Sequence, residues 1–108
     1  MLYEIRTYRC MPGRLADVTA RFRDHTSRLW TKHGITQIGY WTVAVGESNH
    51  DFIYILAWDS LSDRESKWEL FARDPEWVTA RAASEANGPL VQSVSNQILK
   101  PTDFSPLR

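Results

Sequence analysis

The chain has 108 residues, which fits one domain spanning 1–108. Its 13 basic and 13 acidic side chains cancel to zero net charge, which argues against nucleic acid or an anionic membrane surface as the main partner. Five Trp, four Tyr and four Phe are many for this length; aromatic rings bury large areas in cores and at interfaces.

Leu2 to Arg9 alternates as a strand, with Tyr3, Ile5 and Thr7 on one side and Leu2, Glu4, Arg6 and Tyr8 on the other. Met11-Pro12-Gly13 breaks it. Leu15, Val18, Phe22, Thr26, Leu29 and His33 then recur at three- and four-residue steps, the stripe of one long amphipathic helix. Arg14, Asp17, Arg21, Asp24, Arg28 and Lys32 fall mostly on its other faces, and Gly34 is a natural stop.

Ile35 to Val45 is rich in β-branched and aromatic residues and reads as a strand. Gly46 to His50 is a turn cluster, and Phe52 to Trp58 completes a hairpin. Both faces of Phe52–Trp58 are apolar, so this strand is expected to be central and covered on both sides. Asp59-Ser-Leu-Ser opens a helix, with Ser62 and Glu65 matching a capping box. Asp74 and Pro75 read as the N-cap and first residue of a short second helix, stopped by Asn87-Gly88-Pro89. Leu90 to Leu99 is the last strand, and 101–108 is expected to form an extended tail.

The order β-α-β-β-α-(α)-β is the split, ferredoxin-like arrangement: an α+β fold with a four-stranded antiparallel sheet and helices on one face. A second copy would cover the other face, so a homodimer is expected. Cys10 is the only cysteine, so no internal disulfide forms and a reducing, cytoplasmic location is expected. The chain starts at Met1 without a basic-then-apolar leader, and no apolar run is long enough to span a bilayer.

Tyr3-Glu-Ile-Arg-Thr-Tyr8 with Pro12-Gly13-Arg14-Leu15, Gly39-Tyr-Trp-Thr-Val43 before Gly46, Trp58-Asp-Ser-Leu-Ser-Asp-Arg64, Asp74-Pro-Glu-Trp77 and Asn96-Gln-Ile-Leu-Lys-Pro101 resemble, in order and spacing, the NIPSNAP family. The resemblance covers nearly the whole chain. It implies a dimeric α+β barrel and assigns no reaction and no catalytic residue.

The residues contain no His-Glu-x-x-His, paired-Cys spacing, Gly-rich phosphate loop or nucleophile elbow. No metal or cofactor is therefore expected. His25 and His33 lie too far apart along a helix to share a metal. Glu4 and Arg6 share a strand face and are expected to form a structural ion pair.

The aromatic set is the best lead. Tyr40 or Trp41, Tyr54 and Trp58 project from the hairpin, Trp68 comes from the covering helix, and His33, Gln37 and Arg64 add polar groups. The expected site is an apolar pocket between sheet and helices. His33 and Tyr54 are the candidate catalytic groups, and Trp41, Trp58, Arg64 and Trp68 the candidate ligand-binding ones. The expected function is binding of a small apolar or aromatic ligand, extending to a cofactor-free monooxygenase- or isomerase-like enzyme. The alternative is a non-catalytic dimeric protein-interaction module.

Overall fold

Alternation of side chains along Leu2–Cys10 produces β1, and the computed structural model, which describes residues 1–108, continues with α1 (Leu15–Arg21), a π-helical turn (Phe22–Thr26) and α2 (Ser27–Lys32). Then come β2 (Thr36–Thr42), β3 (Asp51–Trp58), α3 (Leu61–Ala72), α4 (Pro75–Ser84) and β4 (Val91–Leu99). The sheet order is β2-β3-β1-β4 with every pair antiparallel. This is the expected α+β, ferredoxin-like arrangement, with β3 inside the sheet between β2 and β1.

Register fixes the two faces. Glu4, Arg6 and Tyr8 stand opposite Leu56, Tyr54 and Phe52, and on this side Val18, Phe22, Leu29 and Trp30 complete the core. Ile5 and Thr7 stand opposite Ile55 and Ile53 on the other side, which no helix covers. Gly34, at φ 72°, turns the chain out of α2 into the left-handed region that a glycine enters without a Cβ penalty.

Two local expectations need correction. The first helix is not uniform: its middle turn is π-helical, and the Thr26 hydroxyl donates to the Arg21 carbonyl at 3.4 Å. The wider turn shifts the phase of the helix beyond it. Trp30, beyond the turn and off the expected stripe, is buried beside Leu29. Arg21, at the end of α1 before the turn and expected on a solvated face, is also only 6% exposed. The third helix is capped by Ser60 rather than Ser62: the Ser60 hydroxyl accepts from the Asp63 N–H, and the Asp63 carboxylate accepts from the Asp59 N–H. The later start suggested by Ser62 and Glu65 places the cap inside the helix. Asp74 and Pro75 cap α4 as expected, with the Asp74 carboxylate accepting from the Glu76 N–H.

The tightest tie in the molecule is Glu4, which has no exposed surface. Arg64 from α3 donates Nε to its Oε1 at 2.8 Å and Nη2 to its Oε2 at 3.1 Å. Trp58 from β3 adds an indole N–H at 3.0 Å, Asn96 from β4 an amide at 2.9 Å, and Arg6 a guanidinium N–H at 3.2 Å. Burial alone would raise the Glu4 pKa; bonds from Arg64 and Asn96 and the charges of Arg64 and Arg6 win, holding it at about 2 against an ordinary 4.5.

A depressed carboxylate pKa stabilises the fold above the unfolded-state value and loses that stabilisation as pH falls through the folded one. The Glu4 contribution, on the order of 3 kcal/mol, is thus present above pH 4.5 and fades toward pH 2. Urea unfolding followed from pH 6 to about 2 should show this loss, and Glu4→Gln should flatten the slope. Glu4→Ala, which leaves Arg64 and Arg6 without their carboxylate, should lower stability at neutral pH by about 3–5 kcal/mol.

Candidate functional site

The Glu4 knot holds Arg6, and Arg6 in turn organises two tyrosines. Arg6 Nε donates to the Tyr54 hydroxyl at 2.6 Å, and the Tyr54 O–H donates to the Tyr8 hydroxyl at 3.1 Å. The Arg6 guanidinium also lies 5.0 Å from the centre of the Trp68 ring. Burial first, then the neighbouring Tyr8, push the Tyr54 pKa far up, so Tyr54 stays protonated at neutral pH. Burial works against the charge on Arg6, but its neighbours more than offset this, and at neutral pH the ionised one among them is Glu4. The Tyr54 hydroxyl thus joins Arg6 to Tyr8 in one chain of hydrogen bonds.

This line of groups ends at a cavity of about 520 Å³ between the helices and the β1–β4 half of the sheet. Arg6, Tyr8 and Val94 supply its sheet side, and Phe22, Trp30, Trp68, Phe71 and Trp77 its aromatic walls. Arg21, Arg81 and Glu85 add charge. The aromatic walls touch one another: Trp30 and Trp68 have ring centres 5.8 Å apart, Trp68 and Phe71 5.7 Å, and Phe71 and Trp77 4.8 Å. The site is thus a partly open cleft that sets an aromatic wall against polar and charged side chains.

The sequence candidates divide among four places. Trp68 lines the cavity, and Tyr54 lies one hydrogen bond behind two of its lining residues. Trp58 and Arg64 are second in line: both hold Glu4 and neither lines the cavity. Trp41 is on the opposite face of the sheet, 47% exposed, with its ring so close over Gly39 that a Cβ there would lie 2.7 Å from it. Tyr40, its neighbour in the alternation, takes the helix side and donates its hydroxyl to Gln37.

His33 is not brought to the cavity either. Its Nε2 lies 2.7 Å from the Asp74 carboxylate, which also accepts from Lys32 Nζ at 2.8 Å. Those two bonds, with the Glu76 N–H, hold the Asp74 pKa well below the usual carboxylate range. His33, the C-cap of α2, thus ties the end of that helix to the N-cap of α4. Cys10 is buried, and burial pushes its thiol pKa up, away from the reactive thiolate.

Tyr8, Arg21, Trp30 and Trp77 are cavity residues that sequence reasoning does not single out. The readable signal for Tyr8 is the run Glu4, Arg6, Tyr8 on one strand face: three polar-capable side chains where a helix-covered face should be apolar. Trp30 has no such signal, since the π turn that precedes it has no reliable sequence signature, and Arg21 reads as one of the charged residues of a solvated face.

The NIPSNAP family model matches residues 3–106. This chain belongs to the NIPSNAP family. Protein NipSnap homolog 3B of Mus musculus is 32% identical over 75 residues, covering 69% of this chain and 30% of that protein. The chain therefore spans about a third of the length of that curated relative. Among solved structures, a protein of Agrobacterium tumefaciens superposes with a TM-score of 0.88 at 30% identity over 100% of both chains. A second NIPSNAP family protein of that organism gives 0.88 at 29% identity, over 99% of this chain and 98% of that one. A putative antibiotic biosynthesis monooxygenase of Nitrosomonas europaea shares the fold, with a TM-score of 0.65 at 12% identity over 94% of this chain and 98% of that one.

Within this NIPSNAP domain the Arg6–Tyr54–Tyr8 line is open to a direct test. Tyr54→Phe removes the acceptor of Arg6 Nε and leaves a part-buried donor unpaired. Urea unfolding should show a loss of about 1–3 kcal/mol.

Proposed function

We propose that this NIPSNAP domain binds a small apolar or aromatic molecule in the cavity beneath its helices, and acts on it without a cofactor in a monooxygenase- or isomerase-like reaction. The observation that carries this reading is the cavity of about 520 Å³, walled by Trp30, Trp68 and Phe71, with Arg6 and Tyr8 at its sheet side. In this reading the Tyr8 O–H bonds a substrate oxygen, with Tyr8 held by the Tyr54 hydroxyl, which Arg6 holds in turn. Negative charge developing on that oxygen, as in an enol or enolate, is then stabilised by a donor set that Glu4 holds in place. Trp68 stacks on the ligand body, and Trp58 and Arg64 position the set by fixing Glu4. The fold shared with the putative monooxygenase of Nitrosomonas europaea makes this class of chemistry a reasonable one to test, by fold analogy alone.

The working unit in this proposal is a homodimer. The uncovered sheet face carries Ile5, Ile53, Ile55 and the half-exposed Trp41, and a second copy buries them about a two-fold axis. No helix is long and apolar enough to cross a membrane, and a lone buried thiol suits a reducing cytoplasmic setting. The second reading, a non-catalytic interaction module, is favoured by one observation: Phe104 and Leu107 in the tail after β4 are exposed, the former by 82%.

Titration with a neutral planar aromatic, 2-naphthol, read by tryptophan fluorescence, separates these readings. Trp68→Ala should weaken binding about tenfold, and Trp41→Ala should leave it unchanged. Binding that survives Trp68→Ala but not Trp41→Ala would move the ligand to the other face and end the cavity proposal; no binding at all would favour the interaction module. Light scattering at low micromolar concentration should give twice the chain mass, and Ile55→Asp should return it to the single-chain mass.

A further inference from the structure

Burial of an N–H without an acceptor is rare in folded proteins, and each case asks for an explanation. Arg21 Nε and Trp30 Nε1 are two such groups, with no protein acceptor in reach. Their residues are 6% and 1% exposed, and both line the cavity already described. The other bonds of Arg21 are long: Nη1 lies 3.3 Å from the Ser84 hydroxyl and 3.5 Å from the Glu85 carboxylate. Its guanidinium is 5.5 Å from the centre of the Trp77 ring, and Phe71 links Trp77 to Trp30 through ring contacts of 4.8 and 5.8 Å. The charged residues lining the cavity are Arg6, Arg21, Arg81 and Glu85, three positive against one negative. A chain with no net charge overall has therefore gathered a positive surplus along one aromatic cleft, with Arg21 only loosely held at its wall.

We infer that the ligand of this cavity is an organic anion, an aromatic ring system bearing a carboxylate, whose oxygens accept from the Arg21 guanidinium while the rings pack against Trp68, Phe71 and Trp77. This inference rests on the ligand-binding reading above and adds the ligand's charge. A carboxylate supplies several acceptor lone pairs at once and pairs with a guanidinium better than a neutral carbonyl does. The stacked guanidinium of Arg21 stays weakly hydrated, which favours exchanging its loose contacts for a carboxylate.

The test compares 2-naphthoate with its neutral isostere 2-naphthamide at pH 7, by tryptophan fluorescence titration of the full chain. Naphthoate should bind about tenfold tighter or more, and its affinity should fall several-fold between about 0.05 and 0.5 M NaCl, while that of naphthamide stays level. In ¹⁵N spectra, the Trp30 indole resonance, assigned with Trp30→Phe, should move on adding naphthoate, while the Trp41 indole does not. Arg21→Met should bring the two probes to parity without weakening naphthamide; if that variant does not fold, the salt and indole responses of the unaltered chain decide. Equal or tighter binding of naphthamide, or a shift of Trp41 in place of Trp30, overturns the anion inference. Tight, salt-insensitive naphthamide binding in the cavity would leave the ligand-binding reading standing, whereas failure of both probes to bind would overturn both.

Discussion

A carboxylate with no exposed surface sits in the middle of this sheet, and every neighbouring element must supply something to keep it there. Glu4 on β1 draws Arg64 from α3, Trp58 from β3 and Asn96 from β4, besides Arg6 on its own strand. Removing an ion from water costs several kcal/mol, and a buried pair of charges only partly offsets that through attraction. The knot is therefore better understood as a specifier than as a source of stability. A slip of one residue in the pairing of β1 with either neighbour would turn Glu4 to the uncovered face and leave Arg64 without a partner. The same knot fixes Arg6, and through Arg6 the hydroxyls of Tyr54 and Tyr8. The arrangement of the cavity's polar side thus depends on the constraint that sets the strand register.

The first helical run contributes the other half of the cavity by departing from regularity. A uniform α-helix would have kept one stripe on the core from Leu15 to His33. The π turn at Phe22–Thr26 instead changes the phase beyond it, where Trp30 is buried, while Arg21, just before it, lies against the Trp77 ring. Irregular turns inside helices are often found where side chains must be aimed, and here the side chains on either side of the turn, Arg21 and Trp30, line the same cleft.

These two features decide how much of the molecule is legible in its sequence. Strand alternation, the Asp74-Pro75 cap and the position of Gly34 are local, and each acts through backbone geometry that its own residues determine; the order of elements can be read from them. The charged face of β1 is equally visible, and an ion pair of Glu4 with Arg6 is expected from it, but the partners from α3 and β4 lie 60 and 92 residues away. No local pattern encodes such meetings. His33 stands out as a histidine on an apolar stripe, but α2 ends at Lys32 and the ring pairs with Asp74, a partner 41 residues away that no local pattern announces. Trp41 and Tyr40 cannot be told apart in the sequence because the irregularity between Gln37 and Gly39 shifts the alternation of β2, and only the register against β3 shows which of the two rings faces the helices.

Glu4 and Asn96 stand near opposite ends of the chain, and this governs the order in which the molecule can mature. On a ribosome, the amino-terminal strand emerges first, carrying a carboxylate that is to lie in an apolar interior. Its bond from Trp58 and its pair with Arg64 become available midway through synthesis, and its bond from Asn96 only when the last strand appears. Until then, water is the better partner for Glu4, and an early collapsed form of the first half is disfavoured by the charge it would have to enclose. Contacts of such long sequence separation slow folding; here they also defer it, so that the sheet closes when the whole domain is present rather than in pieces.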